Sequence, residues 1–137
     1  MFRVKARIEY GLMIMTELAD RPGRFVSLSG LAKQAQVSSI YLIQIARSLA
    51  RAGLLKSKEG ARGGYMLTRP ADRISLLEIM EAIDGQDKSK SALKHNQLKF
   101  CCHNHGAWGL IAAEAKSALA KKTLASLLRL EVKTKNL

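Results

Sequence analysis

Apolar side chains recur every three or four residues through most of the first 85 positions, the spacing of helices with one buried face. Four stretches share this spacing: residues 4–20, 28–35, 39–52 and 76–83. Ser27, Ser38 and Ser75 precede the last three. A serine hydroxyl at this position accepts a hydrogen bond from a backbone N–H that the first helical turn leaves unpaired. Glu78, three residues after Ser75, completes a capping box, so the sequence predicts four helices.

The third helix is followed by a β-hairpin with a glycine-rich loop. The buried face predicted for that helix consists of Leu42, Ile45, Leu49 and Ala52. Gly53 ends the helix, and short strand-like runs follow at residues 54–57 and 65–68. Gly60, Gly63 and Gly64 between these runs tolerate the positive φ of a tight loop. A mainly α fold with a small β-hairpin wing is predicted, a winged helix-turn-helix whose third helix lies in the major groove of DNA.

The pattern changes after residue 85. Residues 86–105 are polar and basic with weak periodicity, which predicts a mobile loop. A helical pattern rich in alanine then covers residues 106–130, with a bend expected near residues 121–123. A long terminal helix beyond a complete small domain is expected to pair with its own copy. Residues 131–137 are predicted to form a charged, frayed tail.

Composition points to a polyanionic partner. Lysine and arginine total 23 against 11 acidic residues, a formal net charge of +12 in a chain of 137 residues. A basic surface gains free energy by releasing counterions from nucleic-acid phosphates. The chain contains no P-loop, no dinucleotide-binding glycine motif and no paired nucleophile and base, so we do not expect an enzyme.

Two features of the sequence predict an intracellular protein. No run of about 18 apolar residues occurs, so no membrane span is predicted. The first residues are charged and lack the apolar core of a signal peptide. We therefore expect a cytoplasmic protein with reduced cysteines, and the adjacency of Cys101 and Cys102 argues against a structural disulfide between them.

Several short motifs resemble one family of bacterial regulators. They are Ser38-x-x-Tyr41-Leu42, Leu49-x-x-Ala52-Gly53-Leu54, Gly60-Ala61-Arg62-Gly63-Gly64-Tyr65 and Thr68-Arg69-Pro70. The chain resembles the Rrf2 family, the IscR and NsrR type, over nearly its whole length. The resemblance implies a homodimeric winged-helix transcription factor, usually a repressor, whose C-terminal helices cross in the dimer. Its operator would be pseudo-palindromic, with half-sites about 34 Å or a multiple of it apart.

The resemblance also assigns residues to DNA in the recognition helix. The candidates there are Ser38, Ser39, Ile40, Tyr41, Ile43 and Gln44. Gln44 suits an adenine edge, whereas the serines and Tyr41 suit phosphates or bases. Tyr41 could instead pack under the wing. Ile43 stands where relatives carry an acidic residue that discriminates bases, so Ile40 and Ile43 could instead meet thymine methyl groups.

Basic side chains of the wing and of the same helix complete the predicted interface. Arg62 is expected in the minor groove, because arginine favours a groove whose narrowness makes its potential most negative. Glu59 occupies the position where relatives place that arginine, and Lys58 is the other cation available. Gly63 belongs to the same wing motif. The candidates for phosphate contacts, each of which could equally be a solvated charge, are Arg47, Arg51, Lys33 and Lys56.

The sensor loop departs from the family pattern. Sensing members carry three spaced cysteines before the long helix, whereas Lys90 and Asn96 stand at the two earlier positions here. Cys102 matches the last cysteine, and His105 matches a histidine ligand of some relatives. The usual three-cysteine set is therefore absent.

Two interpretations of this loop stay open. Cys101, Cys102 and His105 could hold an iron–sulfur cluster or another metal, because thiolate and imidazole suit such ions. The resemblance adds Glu9 of the partner subunit, which stands where some relatives carry an acidic ligand on the first helix. The regulator would then respond to redox state, nitric oxide or iron–sulfur status. Alternatively it binds DNA without a cofactor or senses thiol oxidation. A winged helix that binds protein or RNA is a further alternative.

Overall fold

The computed structural model describes residues 6–84 and 105–135 of the chain. Its elements, in order, are α1 (Ala6–Ala19), α2 (Leu28–Ala35), α3 (Ser39–Arg51), β1 (Leu55–Lys58), β2 (Gly64–Leu67), α4 (Leu76–Asp84), α5 (His105–Lys121) and α6 (Leu124–Lys135). A 3-10 turn, Ala71–Arg73, lies between β2 and α4. The mainly α fold with a hairpin wing is confirmed.

Each predicted N-cap makes its hydrogen bond. The Ser38 hydroxyl accepts from the backbone N–H of Tyr41 at 3.1 Å. At α2 the Ser27 hydroxyl accepts from the backbone N–H of Ser29 at 3.5 Å. At α4 the capping box is reciprocal, because the Ser75 hydroxyl accepts from the Glu78 N–H at 3.1 Å while the Ser75 N–H donates to the Glu78 carboxylate at 3.0 Å. Local hydrogen bonding therefore fixes where α2, α3 and α4 begin.

The core lies where α1, α3 and α4 meet. Its fully buried side chains include Ile14, Met15, Leu42, Ile45, Leu49, Ile79 and Ile83. Gly11 allows the close approach, since a Cβ there would collide with Ile83. The prediction that Ala52 is buried was wrong. Ala52 follows the last residue of α3 and is exposed, and Ala46 and Ser48 belong to the buried face instead.

The wing is a two-stranded antiparallel hairpin extended by one bridge. Leu55 pairs with Leu67 and Lys58 with Gly64, so each strand is shifted by one residue from the predicted runs. Val26 and Tyr65 exchange two backbone hydrogen bonds of 2.9 and 3.0 Å. The segment before α2 thus joins the sheet beside β2 and fixes the wing to the helix-turn-helix.

The C-terminal part consists of two helices where the sequence predicted one long, bent helix. The two helices are separated at residues 122–123, close to the predicted bend. The second helix, α6, extends to Lys135, so the tail predicted from residue 131 is helical up to that residue. The Thr123 hydroxyl caps α6, and the Thr123 backbone forms an isolated β-bridge with Ser75. Leu124 is fully buried. Two backbone hydrogen bonds of 2.9 Å, from Leu76 to Lys122 and from Leu124 to Ile74, join α5 and α6 to the segment before α4.

Candidate nucleic-acid interface

One exposed face of α3 carries the predicted base-contacting and phosphate-contacting side chains. Ile40, Gln44, Arg47 and Arg51 are all exposed. Their spacing of four, three and four residues puts them on one side of the helix. The fully buried Leu42, Ile45 and Leu49 occupy the opposite side. The helix is therefore held by its apolar face and presents the other to solvent.

At the start of α3, some polar side chains hold the helix in place and others are free to face solvent. Ser38 and Ser39 are both exposed, but the Ser38 hydroxyl already accepts the capping hydrogen bond. Tyr41 is half-buried, and its ring packs edge-on against Tyr10 of α1 with centroids 5.7 Å apart and planes at 86°. Such edge contacts between aromatic rings are favourable. The ring of Tyr41 therefore helps to hold α3 against α1.

An open groove of about 560 Å³ separates α3 from the wing. On the helix side it is lined by Ile43, Ala50 and the two arginines, and on the wing side by Ser57, Lys58, Glu59, Gly64 and Tyr65. Three of the lining residues, Arg47, Arg51 and Lys58, are cationic and exposed, against the one carboxylate of Glu59. The groove is therefore predominantly positive and suits a phosphate backbone.

The wing tip depends on two glycines. A Cβ at Gly63 would collide with the backbone of Lys58 and Glu59, and one at Gly64, where φ is +146°, would collide with the carbonyl of Val26. Gly63 also closes the loop by donating its N–H to the Gly60 carbonyl at 3.0 Å. Gly63 is half-buried, so its contribution is to shape the tip that exposes Arg62.

Lys58 and Arg62 differ in their surroundings. The Lys58 ammonium lies 5.7 Å from the centroid of the Phe25 ring, within range of a cation–π interaction. Arg62 is exposed in the loop beyond β1. Lys33 on α2 and Lys56 on β1 are also exposed and lie outside the residues that line the groove.

A contact that the sequence does not reveal anchors the recognition helix from behind. The Arg7 guanidinium, from α1, donates to the hydroxyl of Ser48 at 3.2 Å. Arg7 is half-buried, so its charge is not simply solvated, and its buried Nε has no hydrogen-bond partner. The only signal in the sequence was the polar Ser48 on an otherwise apolar helix face, which cannot identify its partner.

The predicted sensor residues are only partly in view. Cys101 and Cys102, like most of the predicted loop 86–105, lie outside the described residues, and so does the side chain of His105 at the start of α5. Glu9 is exposed on α1. Within the described part of the chain no three histidine, cysteine or acidic side chains gather into a metal site. The same part has no helix long and apolar enough to cross a membrane.

Comparison with known proteins gives consistent matches. The family profile described as "Rrf2: Iron-dependent Transcriptional regulator" matches residues 4–130. HTH-type transcriptional regulator CymR of Bacillus subtilis is 38% identical over 84 residues, 61% of each chain. HTH-type transcriptional regulator IscR of Cereibacter sphaeroides is 40% identical over 81 residues, 58% of this chain and 52% of that one. The matched part thus spans little more than half the length of these two curated relatives.

A solved structure extends the match to the whole fold. The structure of CymR (YrzC), described as the global cysteine regulator of B. subtilis, has a TM-score of 0.72 and 29% identity, and covers 95% of this chain and 98% of that one. These relatives are named as transcriptional regulators and not as enzymes, as predicted. The chain belongs to the Rrf2 family of helix-turn-helix transcriptional regulators.

Proposed function

We propose that this protein is a dimeric, sequence-specific regulator that binds double-stranded DNA and represses transcription. The observation that supports this most strongly is the exposed face of α3 beside the basic wing, across an open and predominantly positive groove. The major groove of B-DNA, about 12 Å wide, admits one α-helix. With α3 in that groove, the hairpin is the element that can reach the neighbouring backbone and minor groove.

The polar side chains of this surface suit separate tasks. Gln44, on the exposed face in the second turn of α3, can pair with the N6 and N7 edge of an adenine. Arg47 and Arg51 follow it and line the groove, where they can neutralise phosphates without reading sequence. Arg62 at the exposed wing tip can enter a narrow minor groove. This division predicts that Gln44 affects specificity and the two arginines affect affinity.

Exposed apolar side chains on the C-terminal helices support a homodimer. Leu110 and Ile111 on α5 are 71% and 54% exposed, and small alanines occupy much of the rest of that helix. An apolar helix of this kind is stabilised by a partner helix. A second copy would place two recognition helices in a two-fold arrangement, so the operator would be pseudo-palindromic.

A signal that displaces α5, the helix proposed to pair with a second copy, would be transmitted directly to the recognition helix. The residues directly after the C-terminal end of α5 are joined by backbone hydrogen bonds to the chain at the start of α4. Leu124, which follows them, is fully buried. A displacement of α5 would therefore move the winged helix of its own subunit as a unit. This attachment supports control of operator binding through the C-terminal helices.

The nature of the signal stays a prediction. Cys101, Cys102 and His105, with Glu9 of the partner subunit, are the donors proposed for an iron–sulfur cluster or another metal. This set lacks the three spaced thiolates that the resemblance implies for a sensing member. Anaerobic purification with an absorption spectrum and iron, sulfide and zinc analysis distinguishes the two forms. Iron and sulfide would support a sensor of redox state or nitric oxide, whereas colourless, metal-free protein would support a cofactor-independent regulator.

The DNA-binding proposal is tested by selecting duplexes from a random library with the full-length protein. We expect a pseudo-palindromic sequence bound at least ~1000-fold more tightly than a scrambled duplex at physiological salt, as specific regulators achieve. Gln44→Ala should reduce this ratio while retaining binding to the scrambled duplex. Equal affinity for all duplexes, or preferential binding of single-stranded RNA, would contradict the proposal.

A further inference from the structure

Ile40 is exposed in a place where its apolar surface is unexpected. Its side chain is 69% exposed in the first turn of α3. Elsewhere in the described residues, the exposed large apolar side chains are Leu110, Ile111 and Leu130, all on α5 and α6. Ile40 is therefore separate from the surface offered to a second copy. It lies instead on the polar and basic face that carries Gln44 and Arg47.

Ile43 extends the apolar surface toward the wing. It lies three residues after Ile40, which makes the two side chains neighbours on the helix surface. Ile43 is half-buried and lines the groove between α3 and the hairpin. The two isoleucines thus form a short apolar strip across the part of α3 whose counterpart in helix-turn-helix proteins contacts base edges.

We infer that this strip reads thymine methyl groups, so that each operator half-site carries thymine opposite Ile40 and Ile43. The inference rests on the proposed DNA-binding function and specifies which bases it selects. In the major groove thymine alone presents a C5 methyl group, and isoleucine offers no donor or acceptor to any other base edge. Contact between the methyl group and the strip removes apolar surface of both from water.

The same chemistry predicts an order of preference among pyrimidines. Uracil lacks the methyl group but pairs as thymine does, so it should bind more weakly than thymine. Cytosine also lacks the methyl group and should bind more weakly than thymine, and its N4 amino group, like the O4 of uracil, would lose water beside isoleucine without gaining a partner. 5-Methylcytosine should recover part of the loss. Thymine is therefore expected to bind most tightly, with uracil and cytosine weaker and methylation improving cytosine.

The test is a double-mutant cycle between protein and DNA, with the full-length protein and the duplex that selection identifies. Each thymine is replaced in turn by uracil, and dissociation constants are measured for the native protein, Ile40→Ala and Ile43→Ala. A methyl group buried against the strip is equivalent to about a fourfold change in affinity per site, from ~0.8 kcal/mol per buried carbon. Replacement in both half-sites should give about sixteenfold if the sites are independent. Uracil outside the half-sites is the control on the DNA.

The outcomes separate this inference from the function on which it rests. Loss of affinity at one or two thymines, abolished when the facing isoleucine becomes alanine, would support it. A specific operator that tolerates uracil everywhere would overturn the inference and leave the DNA-binding function intact. Uracil effects that persist unchanged in both alanine variants would also overturn it. Failure to select any preferred duplex would overturn both.

Discussion

Arg7 in α1 donates a hydrogen bond to Ser48 in α3 across 3.2 Å, although the two residues are 41 positions apart in the sequence. Ser48 is 2% exposed and donates in turn to the carbonyl of Gln44 at 3.2 Å. The contact therefore connects the first helix to the turn of the recognition helix that bears a predicted base-reading side chain. A half-buried guanidinium in this position depends on its acceptor.

Removing the Ser48 hydroxyl should destabilise the fold. We expect Ser48→Ala to lower the free energy of unfolding by about 1–3 kcal/mol, because the Arg7 guanidinium would be left without its partner. Replacement of both residues, as Arg7→Met with Ser48→Ala, should recover part of the loss. Urea denaturation of the four proteins gives the coupling energy. Additive effects of the two replacements would show that the contact carries no energy.

The capping box of α4 should make stability depend on pH. The hydrogen bond from the Ser75 N–H is the largest cause that lowers the pKa of Glu78; burial opposes it, and the hydrogen bond and charge of Arg69 lower the pKa further. A depressed pKa stabilises the fold above the unfolded value, about 4.3, and this contribution is lost as pH falls through the folded pKa. Glu78→Gln should be less stable than the native protein at pH 7.

The pH series also contains its own control. The stability difference between the native protein and Glu78→Gln should shrink as pH is lowered from 5 toward 3, since the carboxyl becomes neutral in both states of the native chain. Thermal unfolding at each pH measures it. A difference that stays constant across this range would mean that the charge of Glu78 does not stabilise α4.

Leu124 should contribute more to stability than its position near the C-terminus suggests. It is fully buried, so Leu124→Ala should lower the free energy of unfolding by about 2–5 kcal/mol by leaving a cavity. Ile40→Ala removes the same number of carbon atoms from a side chain that is 69% exposed, and should change stability by less than about 0.5 kcal/mol. Equal effects in calorimetry at matched protein concentration would refute the docking of α6.

Gln36 is the site for a stabilising replacement. It ends α2 with a left-handed conformation, φ +56° and ψ +40°, which a glycine adopts without the steric cost of a Cβ. Gln36→Gly should therefore raise the free energy of unfolding by about 0.5–1 kcal/mol, after the greater entropy of glycine in the unfolded chain is deducted. Urea denaturation tests this. A loss of stability would mean that the glutamine side chain makes a compensating contribution.

Features set by local hydrogen bonding were predictable from the sequence. The caps at Ser38 and Ser75 depend on residues at most three positions away, and both form as expected. The bounds of α2 agree with the prediction, and the strands of the wing differ by one residue. The recognition face followed from the same periodicity, because the exposed Gln44 and Arg47 lie opposite the buried side chains.

Features that depend on distant contacts were not predictable. The sequence does not reveal that Arg7 contacts Ser48, nor that residue 123 pairs with Ser75 and makes Leu124 part of the core. Ala52 fits the helical period but lies beyond the last turn, where Leu54 and Leu55 take over the buried positions. Periodicity gives no signal for where a helix end meets the rest of the molecule.

The proposed DNA interface requires that Arg47 and Arg51, beside the basic wing, face the DNA backbone. Its most direct test is the salt dependence of binding to the selected duplex, because each neutralised phosphate contributes about 0.9 to the slope of log affinity against log salt. Arg47→Ala with Arg51→Ala should reduce the slope by about two for each subunit. Arg73→Ala, an exposed arginine outside the groove, should leave the slope unchanged. Equal slopes for the double variant and the native protein would contradict the proposed interface.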